Sequence, residues 1–286
     1  MKIWRTFGSL LILLQFAPVG LLAQGQMLLR YDPPPDVPVH VLFQTVTRME
    51  TSEGRVIETA DLGSMCSIAL ELEDGGTVVH MTYDSVRARV RSGGNDWREF
   101  PVLGADSVWL QVKVDDLMNI SAVTEGAPVP AVTGLLDILT GISDLTLPEK
   151  PMSIGDVWMV DSRLPARITA TVPRSVGRIP SMTFSTQISF DSVVQRTQDT
   201  LGYFSVTGDI MPSSAADLRA LGAEGLAISS ELDGQLIWSS GWHRWVSGAN
   251  RVTMTISKAN GTLAPTIERT EPELTMSVTT RFSARP

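Results

Sequence analysis

The sequence predicts a mainly β protein, built as one curved antiparallel sheet of half-barrel or sandwich-like shape with one or two short helices. Apolar and polar side chains alternate through most of the chain beyond residue 38, the pattern of strands with one buried face. Glycine-containing pairs separate these stretches, as tight hairpins require. The 286 residues are 43% hydrophobic and 19% charged, a composition that allows a packed core.

The N-terminus predicts a signal peptide over residues 1–23. Lys2 and Arg5 form a positive start, an apolar run follows at residues 10–14, and Ala23 offers a small residue for cleavage. The run is shorter than the ~20 apolar residues needed to span a bilayer. We therefore expect an exported bacterial protein of the periplasm or extracellular space, with no transmembrane segment after cleavage.

Charge and cysteine content narrow the class of protein further. The net charge of −8 argues against nucleic-acid binding, which needs a basic surface. Cys66 is the single cysteine, so no internal disulfide forms, and this favours a bacterial rather than a eukaryotic exported protein. Protein partners are not indicated by any pattern in the chain.

Behind the signal peptide, residues 24–38 form a lead-in whose sequence Asp-Pro-Pro-Pro-Asp cannot be helical. Residues 39–286 then constitute a single β-rich domain, divisible into halves at 39–146 and 147–286. No Gly/Ser-rich linker separates these halves.

The strand pattern is clearest where Cys66, Ile68, Leu70 and Leu72 alternate with polar residues. The inward position of Cys66 predicts a buried, inert thiol. Comparable alternation occurs at residues 108–114, 184–190, 252–257 and 274–282. Met254 and Met276 fall on inward faces, where methionine serves either as core filler or as the lining of an apolar cavity.

The glycine-containing turn signals predict hairpins between consecutive strands in a meander. They are Glu53-Gly54, Asp74-Gly75-Gly76, Gly93-Gly94-Asn95, Asp233-Gly234 and Asn260-Gly261.

Two segments depart from the alternation and predict helices. In residues 130–142 the apolar side chains, Leu135 and Leu139 among them, recur at helical spacing. Residues 214–222 are a shorter candidate. We expect the first helix to lie across the apolar face of the sheet, so that Leu135 and Leu139 are candidate ligand contacts.

The sequence contains no recognisable catalytic or cofactor motif. Its three histidines lie apart in strand-like sequence, Gly-x-Ser-x-Gly is absent, and neither paired metal ligands nor a phosphate loop occurs. We predict no catalytic residue, cofactor or metal. Carboxylates brought together from distant positions remain an alternative, which would make the protein a hydrolase-type enzyme.

The segment from Trp238 to Trp245 has the most unusual local composition. In an extended strand, Trp238, Trp242 and Arg244 would share one face, and His243 and Trp245 the other. The first three are candidate ligand-binding residues, because aromatic rings and arginine can stack on a sugar or aromatic ligand. Packing of large side chains in a strand explains the same composition. A carbohydrate-binding module using Trp238, Trp242 and Trp245 is thus a further alternative.

Two stretches resemble a known group of proteins. They are Leu147-Pro-Glu-Lys-Pro-Met-Ser-Ile-Gly-Asp-Val-Trp158 and Glu231-Leu-Asp-Gly-Gln-Leu236. Both are similar to elements of exported bacterial β-rich proteins of unknown function, whose fold is similar to that of periplasmic lipoprotein carriers. The resemblance implies a curved sheet with a helical plug, and it transfers no active-site residue. The resulting hypothesis is a non-enzymatic cell-envelope protein that binds an apolar small molecule or lipid.

Overall fold

The computed structural model describes residues 26–35, 39–73, 76–100, 109–125, 146–164, 182–212, 226–258 and 274–285. Within these ranges the chain forms antiparallel strands and turns, which confirms the predicted fold class. The signal segment 1–23 and the predicted helices at 130–142 and 214–222 lie outside the described ranges. No helix in those ranges could span a bilayer.

The strands are β1 (Gln26–Met27), β2 (Val39–Thr51), β3 (Val56–Glu73), β4 (Gly76–Ser92), β5 (Arg98–Phe100), β6 (Trp109–Val114), β7 (Ile120–Glu125), β8 (Met152–Ser153), β9 (Val157–Leu164), β10 (Met182–Arg196), β11 (Asp199–Pro212), β12 (Leu226–Ser239), β13 (Arg244–Lys258) and β14 (Leu274–Arg285).

Twelve of these strands form one sheet in the order β7-β6-β4-β3-β2-β14-β13-β12-β11-β10-β9, with β5 beside β4, while β1 pairs with β8. Most neighbours are consecutive in the chain, as a meander predicts. Two pairings in this order join strands that are not consecutive: β6 pairs with β4, and β14 pairs with β2, which joins the two halves into one sheet.

The sheet curves strongly, because both of its edge regions contact the same short segment. At one edge the carbonyl oxygen of Leu117, in the turn after β6, accepts a 2.8 Å hydrogen bond from the Leu147 amide. At the other edge the indole Nε1 of Trp158, in β9, donates to the carbonyl oxygen of Thr146 at 3.1 Å. Among the described strands, β7 and β9 remain the two ends of the pairing path.

The turn predictions had mixed outcomes. Gly54 (φ 77°) and Gly93 (φ 60°) occupy hairpin turns and adopt the left-handed conformation that favours glycine. The turn predicted at Asp233-Gly234 is wrong, because both residues lie inside β12. A Cβ atom on Gly234 would lie 2.1 Å from the Asn250 Oδ1 atom on β13, so the glycine makes room for a cross-strand side chain.

The concave side of the sheet, called here the inner face, holds two apolar clusters. One gathers buried side chains of β9 to β12 with Met27, Leu29 and Leu147, and the other gathers side chains of β2, β3, β4 and β6. Tyr31 and Phe282 pack against both clusters. The lead-in therefore lies inside the curved sheet and covers one end of its inner face.

Arg30 fastens the lead-in to the segment before β8. Its guanidinium donates to the carbonyl oxygens of Leu29 at 2.6 Å, Pro148 at 2.9 Å and Glu149, and its Nε lies 3.4 Å from Asp116 Oδ2. The prediction that the lead-in is not helical is confirmed for residues 26–35. Its position within the core was not predicted.

Candidate functional site

A row of three methionines crosses the inner face at the end away from the lead-in. The register of β2, β14 and β13 places Met49, Met276 and Met254 directly opposite one another on adjacent strands. Met254 is buried, whereas Met49 and Met276 are half-buried. We call this set the methionine row. It presents soft, adaptable apolar side chains that are not fully covered.

The next row towards the lead-in is also mainly apolar. It consists of Thr47, Val278 and Val252, and it continues to Leu232 on β12. Because side chains alternate along a strand, this row points to the same side as the methionine row and enlarges its apolar surface.

A third row is polar, although it lies on the same inner face. Thr45 and Thr280 are 6% and 8% exposed, and their Oγ1 atoms are 3.3 Å apart. Asn250 lies opposite Thr280, and its Oδ1 atom is buried without a hydrogen-bond partner among the described residues. We call Thr45, Thr280 and Asn250 the polar row.

Among the described strand pairings, one charged residue lies directly opposite a member of these rows. Glu58 pairs with Met49 at one end of the methionine row. Within the described pairings, no lysine or arginine lies directly opposite a member of the three rows. The inner face thus combines an apolar surface with a few hydrogen-bonding groups, the usual composition of small-molecule sites.

The tryptophan-rich segment differs from its prediction. Residues 240–243 form a turn, so the assumption of one extended strand is wrong. Trp238 ends β12 and pairs with Trp245 of β13, with ring centroids 5.1 Å apart and planes at 85°. Trp238 is 1% exposed, and Trp242 lies half-buried in the turn. The rings form an edge-to-face core contact rather than a flat exposed platform.

Asp199 holds the turn in place from the neighbouring hairpin. Its Oδ2 atom accepts a 2.6 Å hydrogen bond from the Ser239 hydroxyl, and its Oδ1 atom accepts one from the Gly241 amide at 2.7 Å. These contacts join residues 40 and 42 positions apart. Ser240-Gly241 is a local turn signal, but the contacts of Asp199 that hold the turn cannot be read from local patterning.

Arg244 is 6% exposed and donates from Nε to the Trp242 carbonyl oxygen at 3.3 Å. Burial lowers its pKa, an effect that nearby Tyr31 partly offsets. Burial likewise raises the pKa of the Tyr31 phenol to about 12, against the influence of Arg244. Arg244 begins β13 and Met254 lies ten residues further along it, so ~33 Å of extended strand separates them.

The remaining predicted contacts, Leu135 and Leu139, lie outside the described ranges. The structure therefore describes three of the five candidate residues, namely Trp238, Trp242 and Arg244. None of these three belongs to the methionine row or the polar row. The sequence did place Met254 and Met276 inward, but the pairing of β14 with β2 that adds Met49 has no local signal.

A serine, a histidine and an aspartate meet on the outer face of the sheet. Ser67 Oγ lies 3.2 Å from His40 Nδ1 and donates to Asp84 Oδ2 at 2.7 Å. In a catalytic triad the histidine bridges serine and aspartate through its two different nitrogens. Here the same nitrogen, Nδ1, faces both groups, and it is 3.9 Å from Asp84 Oδ2. The arrangement is an exposed hydrogen-bond cluster without the geometry of an activated nucleophile.

Within the described ranges, no group of three or more His, Cys, Asp or Glu side chains could hold a metal ion.

The buried position predicted for Cys66 is confirmed, since the residue is 0% exposed and its thiol lies 3.7 Å from the Val41 carbonyl oxygen. Burial, with Asp84 as a smaller contribution, raises the pKa of this thiol to about 12. We expect a disulfide reagent at pH 8 to label the native protein far more slowly than the guanidinium-unfolded protein, because the reactive thiolate is suppressed and shielded. Equal rates in the two states would contradict the inward position of Cys66.

Together the fold and the inner face define a class: an all-β protein whose curved antiparallel sheet presents an apolar surface with a buried polar row. Comparison with known proteins adds no family, because no family model and no curated protein matches the chain.

Several solved structures share a weak likeness. DynF from the dynemicin biosynthesis pathway of Micromonospora chersina has a TM-score of 0.23 and 7% identity, over 92% of this chain and 85% of that one. A DUF3598-family protein of unknown function from Nostoc punctiforme has a TM-score of 0.13 and 10% identity, over 85% and 95%. The Vibrio cholerae outer membrane protein OmpT also scores 0.13, with 9% identity over 87% and 100%. Likeness at this level supports no argument about function.

Proposed function

We propose that this protein is a non-enzymatic, exported cell-envelope protein that binds an apolar or lipid-like ligand on the inner face of its sheet. The observation that carries the proposal is the methionine row. Met49, Met276 and Met254 come from three adjacent strands and form one continuous surface, and two of the three are only half-buried. A row that served only as core filler would be expected to be fully covered.

Export is the second part of the proposal, and it rests on the sequence. The charged start, short apolar run and small residue of segment 1–23 favour a cleaved signal peptide. The resemblance of residues 147–158 to exported bacterial β-proteins supports the same location.

The two alternatives find less support in the described residues. A carbohydrate-binding module needs exposed aromatic faces, whereas Trp238 is buried against Trp245. A hydrolase needs converging acid and base groups, and the Ser67 cluster lacks that geometry.

The proposal is tested by titrating the delipidated mature protein with N-phenyl-1-naphthylamine, an uncharged dye that fluoresces in apolar surroundings. We expect saturable binding that the variant Met276→Gln weakens about tenfold, the factor expected if two buried methylene equivalents are lost. The matched control Met65→Gln alters a 40% exposed residue of β3 and should bind like the unmodified protein.

Native mass spectrometry of protein purified from its own envelope provides a second measurement, in which a co-purified lipid is the expected result. Absence of saturable dye binding would contradict the proposed function, and so would equal dye affinities of the Met276→Gln and Met65→Gln variants.

A further inference from the structure

We propose that the polar row binds the head group of the ligand, and that this ligand is an uncharged amphiphile with a hydroxyl or amide head, such as a long-chain alcohol or a monoacylglycerol. The inference rests on the proposed function and specifies its ligand. It is carried by the juxtaposition of a buried amide oxygen, which has no hydrogen-bond partner among the described residues, with an apolar surface that has no lysine or arginine opposite it in the described strand pairings.

The first step concerns Asn250. Its Oδ1 atom is buried and accepts no hydrogen bond among the described residues, whereas buried polar atoms in folded proteins are normally paired. Gly234 on the adjacent strand has no side chain, which leaves the space that this amide occupies. A ligand hydroxyl or amide N–H would supply the missing donor.

The second step concerns the threonines beside it. Thr280 lies opposite Asn250, and the hydroxyl groups of Thr280 and Thr45 are 3.3 Å apart. A threonine hydroxyl both donates and accepts. One ligand hydroxyl could therefore donate to the Asn250 oxygen while accepting from Thr280, a pairing that a head group with only acceptors could not complete.

The third step is the path of the ligand tail. Asn250, Val252 and Met254 alternate onto the same side of β13, and the four-residue span from the first to the last is ~13 Å. A head group held at the polar row can thus extend its hydrocarbon tail over Val252 and Val278 to the methionine row.

The fourth step excludes charged head groups. No basic residue pairs with any member of the rows among the described residues, and Glu58 adds a negative charge beside Met49. Arg244, the buried cation considered above, lies six residues before Asn250 on β13, so ~20 Å of extended strand separates it from a head group at Asn250. A carboxylate or phosphate would be buried there without a counter-charge, which is strongly unfavourable.

The test measures displacement of N-phenyl-1-naphthylamine from the mature protein at pH 8, where a free fatty acid is ionised. The competitors are 1-dodecanol, monododecanoylglycerol, dodecanoate and dodecyl phosphate. We expect the two uncharged compounds to compete at concentrations about tenfold or more below those of the two anions, a difference equal to one favourable hydrogen bond.

The variant Asn250→Leu should weaken 1-dodecanol binding about tenfold, because the hydrogen bond to the head group is removed. The control Gln235→Leu changes an exposed amide on the neighbouring strand β12 and should have no effect. Should Asn250→Leu fail to fold, the side-chain amide resonances of Asn250 in the unmodified protein provide the readout, and they should shift on addition of 1-dodecanol.

The outcomes separate the two proposals. Saturable dye binding with dodecanoate competing as well as dodecanol would overturn the uncharged head group and leave the apolar site intact. Unshifted Asn250 amide resonances in the presence of bound dodecanol would also overturn it. Absence of saturable dye binding would overturn both the apolar site and the proposed ligand.

Discussion

The variant Leu29→Asp is expected to lose about 4 kcal/mol or more of unfolding free energy. Leu29 is 0% exposed and belongs to the apolar cluster that joins the lead-in to β9 through β12. Truncating a buried leucine costs ~2–5 kcal/mol, and a carboxylate placed at the same position adds the penalty of burying a charge. Since domains are stable by only ~5–15 kcal/mol, the variant should be largely unfolded at moderate temperature.

Leu28→Asp provides the matched control, because Leu28 is the preceding residue and is 52% exposed. Its unfolding free energy should change by ~0.5 kcal/mol or less. Denaturant unfolding of both variants, followed by circular dichroism, compares the two positions. Equal stability of the two variants would mean that the lead-in does not cover the inner face, and the description of its role would have to be abandoned.

The second large effect is expected for Trp238→Ala, with a loss of ~3–5 kcal/mol. Trp238 is 1% exposed and packs edge-to-face on Trp245, which makes the same kind of contact with Phe204. Removing the indole leaves a cavity in the centre of this aromatic group, and strands that pair on both sides of β12 limit its collapse.

The control for this variant is Trp109→Ala in β6, where the side chain is 41% exposed. We expect a change of about 1 kcal/mol or less, because much of that surface already contacts water. Calorimetric melting of both proteins makes the comparison. Equal melting temperatures of the Trp238→Ala and Trp109→Ala proteins would show that the Trp238 indole does not stabilise the core. That result would favour the alternative in which Trp238 contacts a ligand.

Local patterning was sufficient to predict the strands and the side of the sheet to which many of their residues point. The alternation around Cys66 predicted both its strand and its burial, and the hairpin at Gly93 followed from its turn residues. Such predictions succeed because side-chain direction in a strand repeats every two residues, so neighbours in sequence carry the whole signal.

The same reasoning failed where the controlling contact lies far away in the chain. Gly234 has the composition of a turn, yet it occurs inside β12 because Asn250 on β13 fills the space beside it. Trp238 and Trp245 were expected on opposite faces of one strand. A turn held by Asp199, which belongs to another hairpin, brings them face to edge instead.

The sequence by itself therefore determined the class of fold, the inward position of Cys66 and the inward side of Met254 and Met276. Only the tertiary structure decided that the lead-in enters the core, that β14 pairs with β2, and that this register brings Met49 beside Met276 and Asn250 beside Thr280. The physical reason is that register depends on which strands meet and on how their side chains pack. Those interactions join residues far apart in the chain, and the Thr45–Thr280 contact does so across a separation of 235.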